Sequence, residues 1–234
     1  MKEQFQRTAG LIGEEAVLRL SRARVAVFGI GGVGGHATEA LVRAGVGALD
    51  LIDNDTVSES NINRQIIALH STVGRPKTEV AAERALDINP DVKITVHNTF
   101  FLPENADSFD FSAYDYIIDA IDTVSAKMEL VRRAGAAGTP IISAMGTGNK
   151  LDPTALRVAD IHKTEGCPLA RTVRTLCRKE GIKHLKVVYS PEPPCGITYE
   201  EKGRHAPSSI SFVPATAGLL LAATVIKELC GIKS

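Results

Sequence analysis

The chain has 234 residues, 44% hydrophobic and 23% charged, enough for one or two domains with a real core at roughly 150 residues per domain and unlike a disordered or collagen-like chain. Lys plus Arg and Asp plus Glu both total 27, so the formal charge is zero and any attraction to nucleic acid must be local. The four cysteines, Cys167, Cys177, Cys195 and Cys230, are too few for a disulfide framework and suit a reducing, cytoplasmic compartment.

Residues 1–24 interleave Lys2, Glu3, Arg7, Glu14, Glu15, Arg19, Arg22 and Arg24 with no apolar run, so no secretory signal is expected. Residues 25–28 then form an apolar run that meets glycine-rich sequence, and 37–44 reads as a helix ending before Gly45. Strands are expected at 49–52, 93–97, 116–119 and 141–144, with helices at 77–88 and 124–137. This alternation predicts an α/β fold: a Rossmann-like, doubly wound, mostly parallel sheet with helices on both faces. Beyond Gly148, a strand at 156–161, a helix at 168–180 and a strand at 185–189 extend the same sheet. Residues 1–234 therefore read as a single domain, with a nucleotide-binding core at 1–150 and a substrate-facing, dimer-forming extension at 151–234. Residues 190–209 contain Pro191, Pro193, Pro194, Gly196, Gly203 and Pro207 and read as a long loop of the kind that carries function. The apolar stretch 212–226 is shorter than the roughly 20 residues a bilayer requires and reads as a buried helix with Pro214 in its first turn, so no membrane is expected.

Gly29-Ile-Gly31-Gly-Val-Gly34 follows the first strand and opens a helix, where bare glycines let backbone N–H groups approach phosphates. Tight strand–helix packing without a ligand would use the same glycines. Asp53, just after the second strand, is placed for a ribose, and to this point an NAD-dependent dehydrogenase accounts for the pattern. Residues 53–65, Asp-Asn-Asp-Thr-Val-Ser-Glu-Ser-Asn-Ile-Asn-Arg-Gln, then gather acids, amides and an arginine, and Lys77 opens a helix 13 residues after Arg64. Two cations beside a phosphate site suit phosphoryl or nucleotidyl transfer, which chiefly needs charge stabilisation at phosphorus. Asp119-Ala-Ile-Asp122 ends the fourth strand at the sheet edge where ligands of such folds lie, and a carboxylate there can hold Mg2+.

The ordered set Gly29-x-Gly31-x-x-Gly34, Asp53-x-Asp55-x-Val57-x-x-Ser60-Asn61-x-x-Arg64-Gln65, Lys77 and Asp119-x-x-Asp122 resembles the adenylation domain of the ThiF, molybdopterin-synthase adenylyltransferase and ubiquitin-activating family. The resemblance implies ATP bound by Gly29, Gly31, Gly34, Asp53, Asp55, Asn61, Arg64 and Lys77, with the metal on Asp122. Catalysis would rest on Arg64, Lys77 and Asp122, together with Arg7, which resembles an N-terminal arginine that reaches the partner's nucleotide in a homodimer. Within the family, residues 145–153, 160–164, 167–171 and 209–214 are similar to the tRNA threonylcarbamoyladenosine dehydratases, which use ATP to cyclise a modification beside the anticodon. The implied reaction activates the threonyl carboxylate on tRNA and lets the carbamoyl group attack within the same molecule, so no enzyme nucleophile is needed. The rival readings are adenylation of the C-terminal glycine of a ubiquitin-like sulfur carrier, a dehydrogenase, and a non-enzymatic partner of an activating complex.

The Cys-x-x-Cys pairs that hold structural zinc in many sulfur-carrier activators do not occur here, and no zinc is expected. A site built from Cys167, Cys177, Cys195 and one of His162, His184 or His205 lacks ligand spacing. Cys195, in the proline-rich loop, is either inert or a thioester-forming nucleophile. Residues 157–186 carry eight Lys or Arg against three acids. Arg171, Arg174 and Arg178 share one helix face while Leu169, Val173 and Leu176 share another, as in a basic stripe that grips a phosphate backbone or an ordinary solvated face.

Overall fold

Four consecutive apolar residues, Val25 to Phe28, are buried completely, as a strand covered on both faces requires. They lie in β1 (Arg24–Phe28), at the centre of the computed structural model, which describes residues 2–196, 198–201 and 204–232. Two short helices precede it, α1 (Gln6–Ile12) and α2 (Glu14–Leu20), where the sequence suggested no element. The alternation that follows is α3 (Gly34–Ala44), β2 (Ala48–Ile52), α4 (Lys77–Ile88), β3 (Lys93–His97), β4 (Tyr116–Asp119), α5 (Val124–Ala137) and β5 (Ile141–Ala144). The extension adds β6 (Arg157–Asp160), α6 (Pro168–Lys179), β7 (Lys186–Tyr189), β8 (Thr198–Glu201), β9 (Arg204–Pro207) and α7 (Phe212–Leu229).

The main sheet runs β3-β2-β1-β4-β5-β7-β6, parallel throughout except for β6, which pairs antiparallel with β7 at the edge. The strand order reverses direction at β1, so a crevice opens between β1 and β4 at their carboxyl ends. Val25 and Val27 face the core that holds Leu41 of α3 and Leu221 of α7, whereas Ala26 and Phe28 face the one that holds Leu130 of α5. This is the period-two alternation of a sheet between two helical layers.

The structure corrects three expectations. Residues 190–209 are not a continuous loop, because β8 and β9 pair as a separate antiparallel hairpin; a strand pair with no large apolar face leaves little trace in hydropathy. The buried stripe of α6 is Ala170, Val173 and Cys177, with Leu169 and Leu176 only half-buried. Finally, α7 extends to Leu229 and, at 18 residues with mean hydropathy 1.5, passes the length and composition test for a membrane span. Its apolarity has a local explanation. A Cβ on Gly218 would lie 2.3 Å from the carbonyl oxygen of Val33, so the α3 end and α7 meet nearly backbone to backbone while Val213, Ala217, Leu221 and Val225 fill the core.

Candidate active site

The crevice is an open cleft of about 1060 Å³. Gly29, at φ 90°, makes the turn out of β1, and a Cβ there would sit 2.7 Å from the Ala120 carbonyl oxygen. That contact brings the β4–α5 connection against the glycine turn. Gly31 lines the cleft; Gly34 does not, and its hydrogen faces the Gly29 carbonyl, 1.8 Å from where a Cβ would be. The third glycine thus serves close strand–helix packing, while Gly29 and Gly31 line the cleft.

Asp53 braces the turn, accepting from the Ile30 N–H at 2.6 Å on one carboxylate oxygen and from the Asp55 N–H at 2.8 Å on the other. Lys77, the first residue of α4, is buried to 7% side-chain exposure and donates to Asp55 at 2.7 Å, while Asp55 itself is 60% exposed. Asn61 is buried and its Oδ1 accepts the Ser58 N–H at 3.1 Å, closing a one-turn cap. This cap presents Arg64, whose Nη1 donates to the Ser60 carbonyl and to Asn63 Oδ1 at 2.9 and 2.8 Å. Asp53, Asp55, Asn61, Arg64 and Lys77 all line the cleft, as does Asp122, exposed in the β4–α5 connection.

Several features were missed in the sequence. Asp119 and Lys127, both wholly buried, pair at 2.7 Å beneath Asp122, with Lys127 also donating to the Ala144 carbonyl at 3.0 Å. Gln65 lines the cleft, and its Oε1 has no hydrogen-bond partner among the described residues. The far wall is neutral and comes from distant parts of the chain: Met145, Gly146, Gly148, Leu169 and Pro207. Adjacency of Arg64 and Gln65 was a usable signal for the glutamine; residues 145–153 and 167–171 stood out in the sequence, but not as one wall of this cleft.

Other expected residues lie outside the cleft. Arg7 is exposed on α1 and does not line it. Arg171 and Arg178 are exposed on α6, but Arg174 is half-buried and donates to the carbonyl and hydroxyl oxygens of Thr164 at 2.6 and 2.7 Å. Arg174 therefore anchors the start of α6 and is not a free member of the basic stripe. Cys167, Cys177 and Cys230 are buried, Cys195 is exposed, and all are free. Burial, with Glu180 and Asp160 nearby, pushes the Cys177 thiol from 9.0 up to about 11, as for an inert core cysteine. Among the described residues no three or more His, Cys, Asp or Glu gather as a metal site. His205 falls among residues whose side chains are not described.

Two cations, a carboxylate under the glycine turn and another across a cleft at the switch point form a site for a polyphosphate nucleotide. Residues 5–234 match the ThiF family. The chain belongs to that family. Among curated relatives, this ThiF-family chain is 41% identical to the tRNA threonylcarbamoyladenosine dehydratase of Bacillus subtilis, over 98% of this chain and 95% of the relative. It is 43% identical to the Escherichia coli protein of the same name, over 74% of this chain and 65% of that one. Among solved structures, the Escherichia coli tRNA N6-threonylcarbamoyladenosine dehydratase TcdA in complex with ATP superposes with a TM-score of 0.90 at 37% identity, covering 98% of this chain and 94% of that one.

Proposed function

We propose that the protein is an ATP-dependent tRNA threonylcarbamoyladenosine dehydratase that activates the threonyl carboxylate and closes it onto the carbamoyl group. The observation that carries this reading is one cleft holding Asp53, Arg64, Lys77 and Asp122 in a chain similar to those dehydratases over nearly its whole length.

In this reading the carboxylate oxygen attacks phosphorus of ATP and forms a mixed anhydride, expelling pyrophosphate if the α-phosphorus is attacked or ADP if the γ-phosphorus is. The carbamoyl group then attacks the carboxyl carbon, and the activated oxygen departs with its phosphate; the tRNA loses the elements of water. Intramolecular capture removes the need for an enzyme nucleophile, consistent with three buried cysteines and only Cys195 exposed. The Gly29–Gly31 turn admits the phosphates, and Asp53 is placed for the ribose. Arg64 and Lys77 offset charge as it develops at phosphorus. A nucleotide-borne Mg2+ needs only one or two protein carboxylates; Asp122 would supply one, and the metal would neutralise charge on the phosphates. Arg171 and Arg178 contribute to tRNA binding, since the first turn of α6 puts Leu169 on the cleft wall. Arg7, remote from its own cleft, serves the nucleotide of a second copy in a homodimer. A cytoplasmic location accords with the free thiols.

The test supplies ATP and Mg2+ with threonylcarbamoylated tRNA in one arm and a small sulfur-carrier protein in the other. Turnover with tRNA and a nucleoside lighter by one water support the reading. Turnover with the carrier alone replaces it by adenylation of a protein tail.

A further inference from the structure

The cleft has a charged end, from the turn after β1 and residues 53–77, and a neutral end, from the β5 exit and the α6 start. Between them lie Pro207 and Ser209. A Cβ on Gly148 would fall 2.7 Å from Pro207 Cβ, so the segment packs directly on the β5 exit.

Asn149 spends two polar groups on this segment and a third on Cys195. Its N–H donates to the Ser208 carbonyl, its Oδ1 accepts the Ser208 N–H, and its carbonyl accepts the Cys195 N–H, all at 2.7 Å. Among the described residues it is the single non-glycine with positive φ, 56°, a conformation asparagine tolerates better than most residues. Beside it, buried Lys150 donates to the Ser190 and Glu192 carbonyls, and the Glu192 carboxylate accepts the N–H groups of Leu151 and Asp152 at 2.9 and 3.1 Å. On the opposite bank Asn63 Nδ2 donates to the Ser209 carbonyl at 3.1 Å, and Asn63 Oδ1 accepts from Arg64 at 2.8 Å. A continuous bonded path thus runs from Asn149 through Ser208 and Ser209 to Asn63 and the Arg64 guanidinium.

We propose that Asn149 and Asn63 are positioning residues that hold residues 207–209 as a bridge across the cleft, shaping the neutral end that receives the threonylcarbamoyl nucleoside and aiming Arg64 at the triphosphate. The assignment of the two ends rests on the proposed dehydratase reading. Neither asparagine touches a reacting atom. Asn149 sets the wall on the nucleoside side, and Asn63 transmits the position of that wall to a phosphate-binding cation.

Three variants separate positioning from general support. Asn149→Gly keeps the left-handed backbone but removes Oδ1, Asn149→Asp returns an acceptor oxygen, and Asn63→Ala removes both bonds of the other pier. Each is assayed for the KM of threonylcarbamoylated tRNA, the KM of ATP and hydrogen exchange of a peptide spanning residues 207–212. Loss of the Oδ1 bond predicts a rise of about five- to tenfold in the tRNA KM for Asn149→Gly with the ATP KM within about twofold, and loss of the bond to Arg64 a rise of about five- to tenfold in the ATP KM for Asn63→Ala. Asn149→Asp restores the tRNA KM, and exchange quickens in Asn149→Gly and Asn63→Ala. The proposal is overturned if Asn149→Gly leaves the tRNA KM unchanged, if Asn149→Asp behaves as Asn149→Gly, or if both KM values move together with the melting temperature. Should the wild-type protein not turn over this tRNA, the dehydratase reading fails by itself. The bridge is then judged by exchange at 207–212 and by the calorimetric ATP affinity of Asn63→Ala; no change in either overturns it.

Discussion

Two carboxylate–lysine pairs flank the cleft, each closed at 2.7 Å, yet they serve different ends. Asp119 and Lys127 are both at 0% exposure, whereas Lys77, at 7%, meets an Asp55 that is 60% exposed. The buried pair has no route to a ligand. It ties the end of β4 to the second turn of α5, with the Ile121 N–H on Asp119 at 3.2 Å, and so fixes the backbone that carries Asp122. In the proposed function the open pair is a resting arrangement, since water can solvate Asp55 if a phosphate takes the ammonium. The contrast teaches that distance and residue type do not assign a role to an ion pair; the solvent access of the carboxylate does.

The sharpest way to break this comparison is to remove one lysine at a time. Lys127→Ala leaves a buried uncompensated Asp119 and is expected to destabilise the fold by about 3–5 kcal/mol, read by urea unfolding, while Asp119→Leu with Lys127→Met loses much less. Equal losses in the single and double variants would refute the buried-charge explanation. Lys77→Ala should shift stability by about 1 kcal/mol or less but lower kcat/KM for ATP by about 10²–10³-fold, as removal of one charge-stabilising donor does. A large loss of stability with near-normal kinetics would make the open pair structural after all.

The α6 surface gives a smaller test of the same principle, because Arg174 is tied to Thr164 while Arg171 and Arg178 are exposed. Charge reversal of Arg171 and Arg178 should weaken tRNA binding and flatten its log–log salt dependence by roughly 0.7–0.9 per lost phosphate contact, with ATP affinity preserved. Arg174→Glu should act mainly through melting temperature. Unchanged tRNA binding in the double reversal would leave α6 a solvated face.

The smallest effect is on alkaline stability. Burial holds the Cys177 thiol at about 11, above its ordinary 9.0, and burial with the Glu228 hydrogen bond raises the Tyr116 hydroxyl. A raised pKa in the folded state means the unfolded chain loses these protons first, so stability is full below about pH 9 and falls as pH rises toward 11. Cys177→Ala should make that decline shallower in unfolding curves taken across the window.

Much of the charged half of the site was legible in the sequence because it is local. Asp53, Asn61, Arg64 and Lys77 sit in one connection after one strand, and the glycines that admit phosphate adjoin the strand beside it. The alternation of apolar runs with helical periods likewise specified a doubly wound sheet, since each run has to be covered on both faces. The packing role of Gly34 was not separable in the sequence from a phosphate contact, because the same glycine pattern serves both and only the close approach to the Gly29 carbonyl reveals the packing. Arg174 shares a helix face with Arg171 and Arg178, yet Thr164, from another segment, withdraws it from solvent.

The sequence by itself determined the order of elements from β1 to β7, the position of the crevice and the chemistry of its charged end, because backbone periodicity and turn geometry act between near neighbours. Tertiary structure alone decided the neutral wall, the burial of Asp119 with Lys127 and the bridge from Asn149 to Arg64. The wall and the bridge join residues far apart in the chain, the buried pair joins two successive elements, and whether a polar group is solvated, paired or aimed at a ligand depends on what the folded chain brings against it.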